Sequence, residues 1–185
     1  MLHLITRLQL KPGMRAAEPL LLKVEDVSPR GSLPTVSLVD RRNDPDDPRA
    51  RRPSLKQAPR TLPIDKDLHS DICDYMEGTR AKILEDIKRN GTKTEKEIAR
   101  KNQFLFIALN GRPISIQGAQ KALRELRLAP GLSADLCGAR FRNTFADRYF
   151  EAHGADKRDE LAHLTGRSPD SKQFHRYANA AIAKA

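Results

Sequence analysis

The apolar positions change period several times along the chain, and each change predicts an element. Leu4, Ile5 and Leu8 recur at helical spacing until Lys11-Pro12-Gly13; Leu20, Leu21, Leu22 and Val24 resume it until Glu25-Asp26-Val27-Ser28-Pro29. Two short helices are expected, with Pro19 in the first turn of the second, where its missing N–H is harmless. Arg15 then stands at a turn-to-helix junction. TVSLVD, residues 35 to 40, alternates like a strand; Leu55-Lys56 and Arg60 to Ile64 read as two more short strands joined by a tight turn at Gln57-Ala58-Pro59. Between them RRNDPDDPRARRP, residues 41 to 53, holds three prolines and no apolar anchor, which predicts an exposed, mobile insertion loop.

Helical spacing returns over Asp67 to Gly78 and Thr79 to Asn90, with Gly91 as a C-cap. The charged segment 91 to 102 fits a helix entry or a loop, and FLFIAL, residues 104 to 109, is a short buried run of either type. Ser115 is the N-cap candidate for a helix over Ile116 to Arg127. The last third predicts helices over Ala139 to His153, ended by Gly154, over Lys157 to Leu164, ended by Gly166, and over Ser171 to Ala183. No repeat is visible, and the fold class is mostly α with a small antiparallel β-sheet, an α+β fold in a single domain over 1–185.

Composition narrows the function. The 34 Lys and Arg against 24 Asp and Glu give a net charge of +10, which points to a polyanionic partner and leaves DNA, RNA and membrane surfaces open. No stretch of about 18 apolar residues provides a membrane span, and the first ten residues lack a signal-peptide pattern, so a cytoplasmic location is expected. Cys73 and Cys137 are far apart and outside any metal-ligand spacing, so they read as reduced thiols.

Three arginines fall at element junctions, Arg15, Arg142 and Arg167, with Lys56 in a turn and Tyr177 near the end. Guanidinium forks suit phosphate, and several converging would stabilise the charge of a five-coordinate phosphorus. Their surroundings are GMRAAEPLLLKVEDV (13 to 27), LKQAPRTLPI (55 to 64), ARFRNTFADRYFEAHGAD (139 to 156) and LTGRSPDSKQFHRY (164 to 177). In that order these segments resemble the signature boxes of the tyrosine recombinase, or phage integrase, catalytic domain, the DNA breaking-rejoining enzyme fold.

The resemblance implies a set of roles. Tyr177 is the nucleophile, Arg15 and Arg142 hold the non-bridging oxygens, and Lys56 is the general acid for the departing 5′ oxygen. Glu18 stands where the family places an acidic residue three positions after its first arginine. Arg60, Arg140 and Arg176 are expected DNA contacts. The resemblance also implies a chemistry that uses neither metal nor cofactor. The implied partner is double-stranded DNA, bound as a tetramer by a chain that is a monomer in isolation, in a bacterial or phage-derived, nucleoid-associated setting. Only fourteen residues precede Arg15, so the separate N-terminal DNA-clamping domain is expected to be absent from this chain.

Two positions depart from the pattern. Ala139 replaces the histidine of the His-x-x-Arg box and Arg167 the histidine of the Leu-Gly-His box. Neither can act as a base, although Arg167 still donates to a phosphate oxygen. The implied activity is site-specific recombination through a 3′-phosphotyrosine, at a reduced rate; the rival is a degenerate, non-cutting DNA-binding or accessory protein of a mobile element. His153, His163 and His175 read as helix-end or surface residues, and Tyr75 and Tyr149 as packing tyrosines.

Overall fold

The computed structural model describes residues 1–129, 131, 136–168 and 170. Helix α1 (Leu2–Leu10) turns Leu4, Ile5 and Leu8 inward. The chain then reverses at Gly13, whose φ of +73° is a left-handed conformation that glycine adopts without steric cost. The predicted second helix is instead two 3₁₀ turns, Glu18–Leu21 and Val24–Asp26. Leu20, Leu21 and Leu22 are all buried, and three successive inward positions do not fit one face of an α-helix.

The sheet has two strands. β1 (Thr35–Leu38) runs antiparallel to β2 (Arg60–Pro63), pairing Val36 with Leu62 and Leu38 with Arg60. The expected strand at Leu55-Lys56 does not form: Leu55 is buried as a core anchor, while Lys56 lies in an exposed bend. The period-two alternation of β2 puts Arg60 and Leu62 on the same inward face.

Helix α2 (Lys66–Tyr75) is capped by Asp65, which accepts from the Leu68 N–H. It runs through a π turn at Met76–Arg80 into α3 (Ala81–Asn90), so the expected break at Gly78 is absent. A glycine costs a helix about 1 kcal/mol without ending it. The charged segment forms α4 (Lys93–Lys101), opened by a reciprocal Thr92–Glu95 capping box. Phe104 to Ile107 is buried with bends at Leu105 and Phe106, its ends bridged to Lys23 and Pro113. Ser115 caps α5 (Ile116–Leu126) as predicted; α6 (Gly138–His153) and α7 (Arg158–Thr165) follow.

The main core gathers α1, the 3₁₀ turns, both strands, α2 and Leu105-Phe106. A smaller cluster joins α6 to α7 through Ala146, Tyr149, Phe150, Leu161 and Ala162, and Leu164 packs against both cores. Each fully buried Leu or Phe contributes about 1.5–3 kcal/mol, and Leu164 ties the end of α7 to that framework.

Segment 41–53 departs most from expectation. It is not a free loop, because charged groups pin it where apolar ones are lacking. Arg49 Nε and Nη2 each bond Asp47 at 2.8 Å, and Nη1 reaches the carbonyls of Leu20 and Ile114, each at 2.9 Å. The Arg49 guanidinium also lies 4.4 Å from the Phe104 ring centroid. Lys23 pairs with Asp44 at 2.7 Å and Arg41 with Asp26 at 2.9 Å.

Candidate active site

The site grows from Glu18, a carboxylate only 1% exposed. Its Oε2 accepts from the Arg15 backbone N–H at 2.7 Å and from Arg60 Nη2 at 2.8 Å, while Arg15 Nη1 lies 3.4 Å from Oε1. A buried carboxylate requires such partners, and two segments distant in sequence supply them.

The second anchor is the end of α7. Its last carbonyls have no partner within the helix. Gly166, at φ +58°, closes it in the left-handed turn, with the Gly166 and Arg167 N–H groups donating back to His163 and Ala162. The carbonyls of Leu164, Thr165 and Gly166 then receive Arg60 Nε at 3.1 Å, Arg142 Nη2, and Arg15 Nη2 at 2.5 Å. Three guanidiniums thus converge on consecutive carbonyls at the negative end of a helix dipole. Backbone proximity enforces the arrangement: a Cβ on Gly166 would lie 2.9 Å from Arg60 Nη1 and 3.2 Å from Gln57. Likewise, a Cβ on Gly13 would meet Phe145 of α6 at 2.3 Å.

Among the described residues the charges do not balance. Burial, then Arg167 and Arg15, with a smaller push from Arg60, pulls Arg142 down to about 9, against an opposing pull from Glu18. Arg15 is lowered by burial first; Glu18 offsets part of this, while Arg60 and Arg167 add to it. At neutral pH these groups are cations whose charge is unfavourable where they stand, so an anion among them would reverse the sign of the interaction. Arg142 Nε is a buried donor with no acceptor among the described residues. The arrangement can seat a group with several acceptor oxygens and negative charge, such as a phosphodiester.

The side chains predicted from sequence fall out as follows. Arg15, Arg142 and Arg167 are brought together. Arg15 is the more accessible cation, with 23% of its side chain exposed, whereas Arg142 is 6% exposed. Lys56 is exposed in the bend next to Gln57, which touches the Gly166 turn, so it stands at the rim. Arg140 is exposed on the first turn of α6. Arg60, expected to touch DNA, has a side chain only 3% exposed and is turned inward onto Glu18. Sequence reasoning gave Arg60 the wrong place; its two-residue spacing from the inward Leu62 was the available signal. Tyr177 and Arg176 lie outside the described residues.

Ala139 is exposed and lines a groove of about 440 Å³ between α1, α5 and the start of α6. Its methyl group brings no proton acceptor to that position. Tyr75 and Tyr149 are both buried; burial raises the Tyr75 phenol, and burial together with Glu160 pushes Tyr149 up to about 12, the reverse of a primed nucleophile. Among the described residues no group of three or more His, Cys, Asp or Glu could hold a metal ion, and no helix is long and apolar enough to cross a membrane.

A model of the phage integrase family matches residues 1–183. The chain belongs to the phage integrase family. The structure is similar to the crystal structure of XerA recombinase, with a TM-score of 0.67 at 16% identity. That likeness covers 99% of this chain and 56% of the XerA chain, so this chain spans little more than half the length of that relative. No curated protein matches it. The mostly helical fold with its two-stranded antiparallel sheet is that of the recombinase catalytic domain. In this integrase-family chain the cluster around Glu18 joins the first, second and third signature segments to the start of the fourth.

Proposed function

We propose that the chain is a tyrosine-type site-specific recombinase that cuts and rejoins duplex DNA. Arg15, Arg142 and Arg167 hold the non-bridging oxygens of one phosphodiester. The Tyr177 oxygen bonds to phosphorus as the bond to the 5′ oxygen breaks; the phenolic proton leaves to solvent, and Lys56 protonates the departing 5′ oxygen. The phosphodiester energy is kept in the 3′-phosphotyrosine, so rejoining another strand is nearly isoenergetic and needs no external energy. The working assembly on DNA is a tetramer built from chains that are monomeric in isolation.

The observation that carries this reading is the convergence of Arg15 and Arg142, far apart in sequence, on the end of α7, with positive charge in excess among the described residues. The test is capture of SDS-stable protein–DNA adducts. Adducts from the unsubstituted chain that vanish in Tyr177→Phe support it; adducts that persist in that variant overturn the nucleophile assignment.

The exposed Ala139 favours a second reading, a recombinase relative that binds DNA without cutting it. Loss of a general base costs on the order of 10²–10⁴ in rate. Ala139→His with Arg167→His separates the two: a large gain in adducts marks a slowed enzyme, and no gain marks a site that only binds.

A further inference from the structure

We propose that Arg60 is a positioning residue whose task is to keep Glu18 from neutralising Arg15, and so to leave the Arg15 guanidinium available to a phosphate. This rests on reading the cluster as a phosphate seat. Glu18 sits three residues after Arg15 and would by itself form a close ion pair with it. The geometry is otherwise: Arg60 Nη2 holds Oε2 at 2.8 Å, the Arg15 backbone N–H takes the same oxygen at 2.7 Å, and the Arg15 side chain is left a 3.4 Å contact to Oε1. Arg15 Nη2 turns to the Gly166 carbonyl at 2.5 Å, and Arg60 Nε fixes the neighbouring Leu164 carbonyl at 3.1 Å.

Accessibility divides the labour. The Arg60 side chain is 3% exposed and lies behind Glu18, packed against Gly166, while that of Arg15 is 23% exposed. Arg60 therefore acts through Glu18 and through the backbone of the α7 end. A lysine could satisfy the carboxylate but could not span both it and the Leu164 carbonyl with fixed geometry, because the fork is particular to arginine.

The test is a double-mutant cycle read by affinity for inorganic sulfate, with folding checked by circular dichroism and a fluorescent duplex titrated in salt as second readout. Arg60→Met should weaken sulfate binding about tenfold, the scale of one charge-assisted hydrogen bond. Arg60→Met with Glu18→Gln should recover to within about threefold of the unsubstituted chain, since the carboxylate that captures Arg15 is then gone. Arg60→Lys should fall between, and it replaces Arg60→Met in the cycle should the latter not fold. A double variant no better than Arg60→Met overturns the proposal in favour of a packing role. A salt slope of DNA binding still shallower by about one in the double variant, where no carboxylate is left to capture Arg15, also overturns it, since that marks direct phosphate contact by Arg60. Failure of the unsubstituted chain to bind sulfate overturns the phosphate-seat reading and this proposal together; failure of recovery alone overturns only this one.

Discussion

Among the described residues, the buried arginines fall in two places and are used in opposite ways. In segment 41–53 Arg49 meets its own carboxylate, Asp47, two carbonyls and the face of Phe104; the Arg49 and Asp47 side chains are 4% and 1% exposed. Around Glu18, one carboxylate among the described residues faces Arg15, Arg60, Arg142 and Arg167. Burial of arginine alone is therefore no mark of function. The balance of charge is what separates a structural lock from a ligand seat: the first is complete within the fold, the second is stabilised by an anion from outside it.

The sharpest way to break that contrast is to remove one arginine from each place. Arg49→Met leaves Asp47 buried without its cation, so unfolding stability should fall by about 3–5 kcal/mol, with adduct formation per folded molecule unchanged. Denaturant midpoints and adduct yields check it. Arg142→Met should do the reverse: a modest change in stability, with the adduct-forming rate down by about 10²–10³, the usual cost of removing one preorganised donor to a developing charge. If both variants lose activity in proportion to stability, the contrast fails.

Sulfate sharpens it further. At a hundredfold excess over its dissociation constant, sulfate should add about 2.7 kcal/mol to the stability of the chain, measurable as a rise in Tm. Arg49→Met should keep that increment and Arg142→Met should lose most of it.

The smallest effect is in pH. The folded value for Arg142 is depressed to about 9, below that of a free arginine, so its penalty is fully present below pH 9. Above that pH the unfolded chain holds the proton more than the folded one, and stability contributed by this group rises with pH. Arg142→Met should therefore gain on the unsubstituted chain at pH 7, and the gap should narrow at pH 10 in urea titrations.

Much of this was legible in the sequence. Helices α6 and α7 and their glycine stops follow from apolar spacing and from the left-handed turn at Gly166, while the helix expected over Ser171 to Ala183 lies outside the described residues. The resemblance of the four ordered segments to the family's signature boxes implies that Arg15 and Arg142 share one site. Segment 41–53 was misread because its anchors are charged: Asp47 and Arg49 look like solvated loop residues until the Leu20 and Ile114 carbonyls come into reach. Arg60 was misread for a related reason, since its charge suggested solvent although its strand register pointed inward. The use of α7's terminal carbonyls as a common anchor depends on contacts across more than a hundred residues, which no local pattern encodes.

The most direct test of the central claim, that imbalance of charge marks the phosphate seat, is to follow the arginine side-chain N–H signals by heteronuclear NMR during a sulfate titration. The account predicts saturable shifts for Arg15 and Arg142, with Arg49 unmoved. Equal shifts at Arg49 and Arg142, or none at Arg15 and Arg142, would contradict it.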